Sequence, residues 1–204
     1  QNMTALSSSG QSKPFDKDRD GFMMTEGSAT LVLEEMSSAQ SRGANIYGEV
    51  LGSGSTADAH HITAPAPGGD GALRCMQLAI EDSGLASTDI ASVNAHGTST
   101  PLNDAAEAEA LSKLFGEDGP PVTSTKGVTG HALGAAGAIE ATAVLLSFLH
   151  KQIPPTAGFV NRDPEMAGFN IVTGSGLEWE PGPSMSNSFG FGGHNGSIVL
   201  APVN

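Results

Sequence analysis

The chain has 204 residues, enough for one substantial hydrophobic core, and its 9 Lys and Arg against 22 Asp and Glu make it strongly acidic. With no basic run, it lacks the positive stripe that nucleic-acid phosphates require. A single cysteine, Cys75, excludes an internal disulfide framework and suits a reducing, cytoplasmic setting. The most apolar stretch, Ala132 to Leu149, carries Glu140 and is too short and too rich in Gly and Ala to favour a membrane span. A start at Gln1 with the loop-like SSSGQSKP soon after reads as the middle of a longer protein or as a processed end.

Taken in order, residues 1–21, with Pro14 and the charge-alternating DKDRDG, read as an exposed loop. GSATLVLEE predicts a half-buried strand through Ala29, Leu31 and Leu33, and Glu34 to Arg42 a short helix stopped by Gly43. A seam near residue 45 separates 1–45, the end of an incomplete N-terminal part, from the main unit 46–204. Ile46 to Leu51 is the next strand, followed by a Gly, Ser, Asp and His loop that ends in APAPGGDG. From Asp70, Leu73, Met76 and Ile80 mark one helix face, with Gly84 at the C-terminal cap. Then come a strand, Ile90 to Asn94, and a helix, Asp104 to Phe115. That helix opens on Asp104 and Glu107 as a capping box and buries Leu111, Leu114 and Phe115. Pro121 to Thr125 is a strand, and His131 to Gln152 a long helix stopped by Pro154 and Pro155. The tail from Phe169 to Val203 reads as strand, strand, Gly-rich turn, strand. Strand, loop, helix alternation is α/β order, with a partly parallel sheet covered by helices.

Four stretches carry chemistry. His96 follows Val93-Asn94-Ala95 at the carboxyl end of a predicted parallel strand, where open α/β sheets present functional groups. A lone histidine there is more often structural, but Gly97 and the hydroxyls of Thr98, Ser99 and Thr100 can orient the ring toward a pocket. His131 repeats the arrangement after Thr125-Lys126-Gly127, before a helix whose first turn, ALGAAG, is nearly bare of bulk. A substrate site and a helix-capping histidine stand there as equal readings. Glu140 sits in an almost wholly apolar helix, where a carboxylate is costly unless paired or on a cation. Lys126 is therefore expected to meet it, directly or through one intermediary, and to hold the loop carrying His131. SNSFGFGGHNGS, residues 186–197, places Phe189, Gly190, Phe191 and Gly192 in a turn suited to backbone donors aimed at an oxyanion, with a ring as a gate; a plain hairpin at Asn195-Gly196 is the alternative. His60-His61 has no zinc-ligand spacing around it, and Cys75 sits mid-helix without a glycine elbow, as a structural thiol.

NAHGTSTPLND, STKGVTGHALGAAGAIE and NSFGFGGHNGS, in this order and spacing, closely resemble the β-ketoacyl-acyl carrier protein synthases, the condensing enzymes of the thiolase fold. FDKDRDGF and SGSTADAHHITAPAP look similar as well, so the resemblance runs over nearly the whole chain but covers only the C-terminal half of such an enzyme. It implies a thiolase-like fold of which this chain holds a mixed five-stranded sheet, one half of a layered αβαβα architecture. It implies decarboxylative condensation of malonyl-acyl carrier protein with an acyl thioester held on a cysteine of the N-terminal half, in a homodimer and with no cofactor. On this resemblance His96 and His131 hold the malonyl thioester oxygen, and Lys126 is the active-site lysine paired with Glu140, beside which some members bind a structural cation. Thr98, Thr100 and Asp104 support the site. Phe191 is the gate whose N–H joins the oxyanion hole, with Gly190, Gly192 and Phe189 around it, and Asp58 and His61 lie in a second loop that moves with it. His194 stands where similar enzymes often have threonine. Cys75 aligns with no catalytic position. A polyketide ketosynthase shares these motifs, and a non-catalytic partner subunit is the reading from another class, against which the presence of both histidines argues. Half of a pseudo-symmetric core should leave apolar surface exposed.

Overall fold

A computed structural model describes residues 5–203. In chain order it comprises helix α1 (Met36–Ser41), strand β1 (Glu49–Ala57), α2 (Asp70–Ser83), β2 (Ser92–Asn94), α3 (Pro101–Phe115), β3 (Val122–Thr123), the single turn α4 (Lys126–Thr129) and α5 (Ala136–His150). A short pair, β4 (Gln152–Ile153) and β5 (Leu177–Glu178), precedes the hairpin of β6 (Ser184–Gly190) and β7 (His194–Ala201). The main sheet runs β1-β7-β6-β2-β3, with β6, β2 and β3 parallel and β7 antiparallel to both its neighbours. It is the mixed five-stranded sheet that the motifs imply.

Alternation along the strands divides the core. Val93, Met185 and Val199 point to one face and join Met76, Ala79 and Ile80 of α2 and Ala108 and Leu111 of α3. On the other face α5 lays Ala141, Val144 and Phe148 against Leu200. Ser92 and Ser184 share a hydrogen bond there at 2.8 Å, so this second face is partly polar. Leu133–His150, apolar enough in composition to cross a bilayer, instead covers this face of the sheet. α2 lies close on β1 because Gly54 has no side chain there. A Cβ on it would overlap the Cys75 carbonyl and lie 2.8 Å from the Ala79 nitrogen. Cys75 is fully buried and its thiol donates to the Gly54 carbonyl at 3.2 Å.

Several expectations are corrected. Residues 12–22 are not an exposed loop: Ser12, Phe15, Asp16 and Phe22 are buried. Phe15 packs edge-on to Phe169, and Asp16 accepts the N–H groups of Val160 and Asn161. GSATLVLEE forms no strand, and Val32 and Leu33 stand 87% and 78% exposed. No neighbouring strand among the described residues pairs with it, and an extended segment needs such a partner for its backbone groups. β1 starts later than expected and runs on to Ala57, through glycines and serines that low β-propensity assigns to a loop, because β7 pairs with it along that length. Asp104 and Glu107 do not cap α3. Thr100 occupies the cap and both carboxylates turn inward. The long helix begins at Ala136, after a turn of 3-10 helix at Leu133–Ala135, and His131 lies outside it, bridged to Met24.

Candidate functional site

β2 ends at Asn94, and the chain turns through His96 to Thr100 before α3 begins. This loop is held from beneath by α3. Glu107 accepts the His96 N–H on one oxygen and the Gly97 N–H on the other, each at 2.8 Å. Burial pushes the Glu107 carboxyl up to about 7, against the pull of those N–H donors and with repulsion from Asp104 added. Asp104, one turn earlier, accepts the Ser99 N–H at 3.1 Å and the Phe15 N–H at 2.7 Å, and burial raises it to about 6. Ser99 is thereby kept in the left-handed region, φ 70°, which a serine seldom occupies unaided. The Thr98 and Thr100 hydroxyls are 2.9 Å apart.

α4 and α5 supply the cationic part. Lys126 is fully buried and pairs with Glu140. Its ammonium also donates to the His96 carbonyl at 2.6 Å and lies 3.3 Å from His96 Nδ1. An ammonium has no lone pair, so Nδ1 must accept and the His96 proton resides on Nε2. The Leu133 N–H donates to His131 Nδ1 at 3.2 Å and assigns the same tautomer to that ring. Burial, then Lys126, then His131 hold His96 well below the ordinary imidazole range, and burial and Lys126 lower His131 to about 4. Two neutral rings, centroids 5.4 Å apart and nearly perpendicular, thus carry Nε2–H donors beside one cleft.

That cleft, about 970 Å³, is lined by His96, His131, Thr98, Thr100, Phe189, Gly190, Phe191, His194 and Asp58, among others. Lys126, Glu140 and Asp104 lie behind it rather than in it, and neither Gly192 nor His61 lines it. His61 instead accepts the Thr63 and Ala64 N–H groups on Nδ1. Phe191 is 49% exposed at the rim. The glycine turn after it depends on Gly192 and Gly193, at φ 83° and 74°. The turn is bonded to the loop after β1: the Asp58 N–H donates to the Gly193 carbonyl at 2.9 Å and the Gly192 N–H to the Ile62 carbonyl at 2.8 Å. Asn195 Nδ2 donates to Asp58 at 2.6 Å. The two loops are one hydrogen-bonded unit.

Glu140 Oε2 and Asn94 Oδ1 are buried without a hydrogen-bond partner. Each is a hard oxygen donor of the kind an alkali or alkaline-earth ion takes, so their chemistry suits such an ion. Among the described residues no group of three His, Cys, Asp or Glu gathers for a transition metal.

Motif reading did not assign Glu107 to the loop, the Phe22–Thr25 segment to His131, or Asn195 to Asp58. Glu107 had a weaker signal than Glu140, because it shares the buried face of α3 with Asp104 as well as with Ala108, Ala110 and Leu111. For the other two, no local pattern indicates the pairing.

The family model for the β-ketoacyl synthase C-terminal domain matches residues 47–160, and that for the N-terminal domain matches residues 1–39. The 3-oxoacyl-[acyl-carrier-protein] synthase 2 of Synechocystis sp. is 50% identical over 191 residues, 93% of this chain and 46% of that protein. Among solved structures, a β-ketoacyl synthase from Burkholderia phymatum superposes with TM-score 0.96 at 39% identity, over 100% of this chain and 50% of the other. A chain of the AntDE:AntF complex, a type II PKS acyl-carrier protein with its ketosynthase bound to the hexaketide, matches with TM-score 0.94 at 33% identity, over 99% of this chain and 51% of that one. The chain spans about half the length of the relatives it matches. With two adjoining domain models matched in order and half of its sequence shared with such a synthase, the chain belongs to the β-ketoacyl synthase family.

Proposed function

We propose that the full-length protein is a 3-oxoacyl-acyl carrier protein synthase of fatty acid elongation, and that this chain supplies its decarboxylation apparatus. The observation that carries the reading is the pair of neutral imidazoles, both protonated on Nε2, beside a single cleft. A malonyl thioester oxygen placed between them accepts two N–H bonds. When the bond from C2 to the malonyl carboxylate breaks, carbon dioxide leaves and the electron pair is delocalised onto that oxygen as an enolate. Charge then appears where the two donors already point, so their bonds strengthen in the transition state. The enolate carbon next attacks an acyl thioester, the 3-oxoacyl product forms, and the thiolate leaves on a cysteine that lies outside this chain. Cys75 is unsuited to that role, because burial raises its thiol pKa and its proton is given to Gly54.

Lys126 and Glu140 orient His96 and stay out of the cleft. Phe191 opens and closes the rim, its N–H serving the thioester oxyanion, and Asp58 couples the neighbouring loop to it, with His61 carried along. If a cation is resident, Glu140 Oε2 and Asn94 Oδ1 hold it, and it supplies charge balance behind the histidines. Residues 1–45 end the first thiolase-like half and 46–204 form the second, in a cytoplasmic homodimer that accepts acyl and malonyl groups on an acyl carrier protein. The division between the two domain models supports the seam. The exposed Val32, Leu33 and Val128 support a covering half. A polyketide ketosynthase is the second reading, favoured by the likeness to the polyketide complex. In the full-length protein, His131→Ala should cut malonyl-carrier decarboxylation at least about a hundredfold; unchanged turnover would remove the assignment. Feeding linear saturated acyl chains against poly-β-ketone chains separates the two pathways.

A further inference from the structure

The segment Phe22–Thr25, which starts on the last residue of FDKDRDGF, grips His131 at three points. The His131 N–H donates to the Met23 carbonyl at 2.8 Å, and the Thr25 N–H donates to the His131 carbonyl at 3.1 Å. The Phe22 ring stands edge-on to the imidazole, centroids 4.8 Å apart, and is itself only 5% exposed. Phe22 is fixed in turn. Its N–H donates to the Ala5 carbonyl at 2.9 Å, its carbonyl accepts the Ser7 N–H at 2.9 Å, and the Gly21 N–H donates to the Ser99 carbonyl at 2.8 Å. Asp20 pins the adjoining turn by accepting from the hydroxyls of Ser7, Ser8 and Ser9 and from the Ser8 and Ser9 N–H groups.

We propose that Phe22 is a positioning residue for His131, which sets the plane of the imidazole and closes one side of it to water. The inference rests on the reading of His131 as a donor to the reacting oxygen. An edge-to-face pair favours one ring orientation over rotation about χ2, and with Nδ1 held by Leu133 it leaves Nε2–H for the cleft. The same wall withholds water from any imidazolium, so it favours the neutral ring. The titratable groups that face His131 are Lys126 and His96, and Asp20, Asp58 and His194 line the same cleft. Lys126 alone lowers His131 by charge, and burial does more. Removal of the Phe22 ring admits water and lets the imidazole rise from about 4 toward the ordinary 6.5.

The test is acylation of His131 by diethyl pyrocarbonate, which attacks neutral imidazole, followed by peptide mass spectrometry on the full-length protein across pH 4–7. In Phe22→Ala the midpoint of the labelling profile should move up by about one pH unit, and the plateau rate should rise about tenfold through access. Phe22→Leu, a smaller truncation that keeps the fold if Phe22→Ala does not, should move both in the same direction by less. Malonyl decarboxylation should fall through kcat more than through KM, since orientation and not binding is lost. A labelling midpoint and rate unchanged in whichever variant folds would overturn the proposal. If His131→Ala decarboxylates like the wild type while Phe22 truncation still shifts the labelling, the functional reading fails and the shielding of His131 stands.

Discussion

Removing the Lys126–Glu140 pair one residue at a time should be far more damaging than removing both. The two side chains are 0% and 2% exposed. In Lys126→Met, Glu140 keeps its burial and loses its partner cation, and Glu140 Oε2 already lacks a hydrogen bond. In Glu140→Leu, the ammonium loses its ion-pair partner and keeps its contacts to the His96 carbonyl and ring. Breaking a buried pair from one side costs about 3–5 kcal/mol, whereas replacing both partners with apolar groups of similar size is often near neutral. Lys126→Met with Glu140→Leu should therefore recover most of the stability, giving a coupling of at least about 2 kcal/mol in a double-mutant cycle. It should not recover activity. Without the Lys126 ammonium nothing assigns the His96 proton to Nε2, and decarboxylation should stay about tenfold or more below wild type. Urea unfolding of the four full-length proteins and their decarboxylation rates measure both quantities. Single losses that simply add in the double variant would refute the reasoning.

Three further outcomes are expected. Glu107→Ala leaves the buried N–H groups of His96 and Gly97 without an acceptor, at about 1–3 kcal/mol each, so a loss of roughly 2–6 kcal/mol and faster amide exchange at those two residues should follow, with Glu107→Gln milder. Gly54→Ala should cost about 1–3 kcal/mol in unfolding free energy by forcing α2 off β1, with no direct effect on the cleft. For His131, whose folded pKa is lowered to about 4 from 6.5, the unfolded chain takes up the proton first. Its contribution to stability is then complete above about pH 6.5 and is lost as pH falls to about 4. The difference in unfolding free energy between wild type and His131→Ala should shrink across that window, and the acid limb of decarboxylation should lie nearer pH 4 than 6.5.

The local signals read well where neighbouring residues settled the matter. Gly84, the Leu73, Met76 and Ile80 face, and the Gly-rich turn before His194 each appear where periodicity and turn chemistry put them, and the isolation of Glu140 in an apolar helix was enough to require Lys126 as a partner. The same physics misled where a pattern has two uses. An acid at the start of α3 followed by another three residues on is a capping box or a pair of inward carboxylates, and only the loop packed against α3 decides. The run from Gly52 to Ala57 has the composition of a loop, yet its Gly and Ser residues become strand because β7 offers them a continuous ladder.

Sequence motifs alone single out the groups on which the proposed reaction rests, His96 and His131 with Lys126 behind them and the Phe191 turn, because each sits on a short, chemically distinctive stretch. Only the tertiary structure decided their protonation and their bracing. The proton positions depend on Lys126 and Leu133 reaching ring nitrogens, and the bracing depends on Glu107, Phe22 and Met23, of which Phe22 and Met23 lie more than a hundred residues from His131. A hydrogen bond is worth what its burial makes it, and burial is a property of how the sheet and helices close over the loop, which no window of the chain contains.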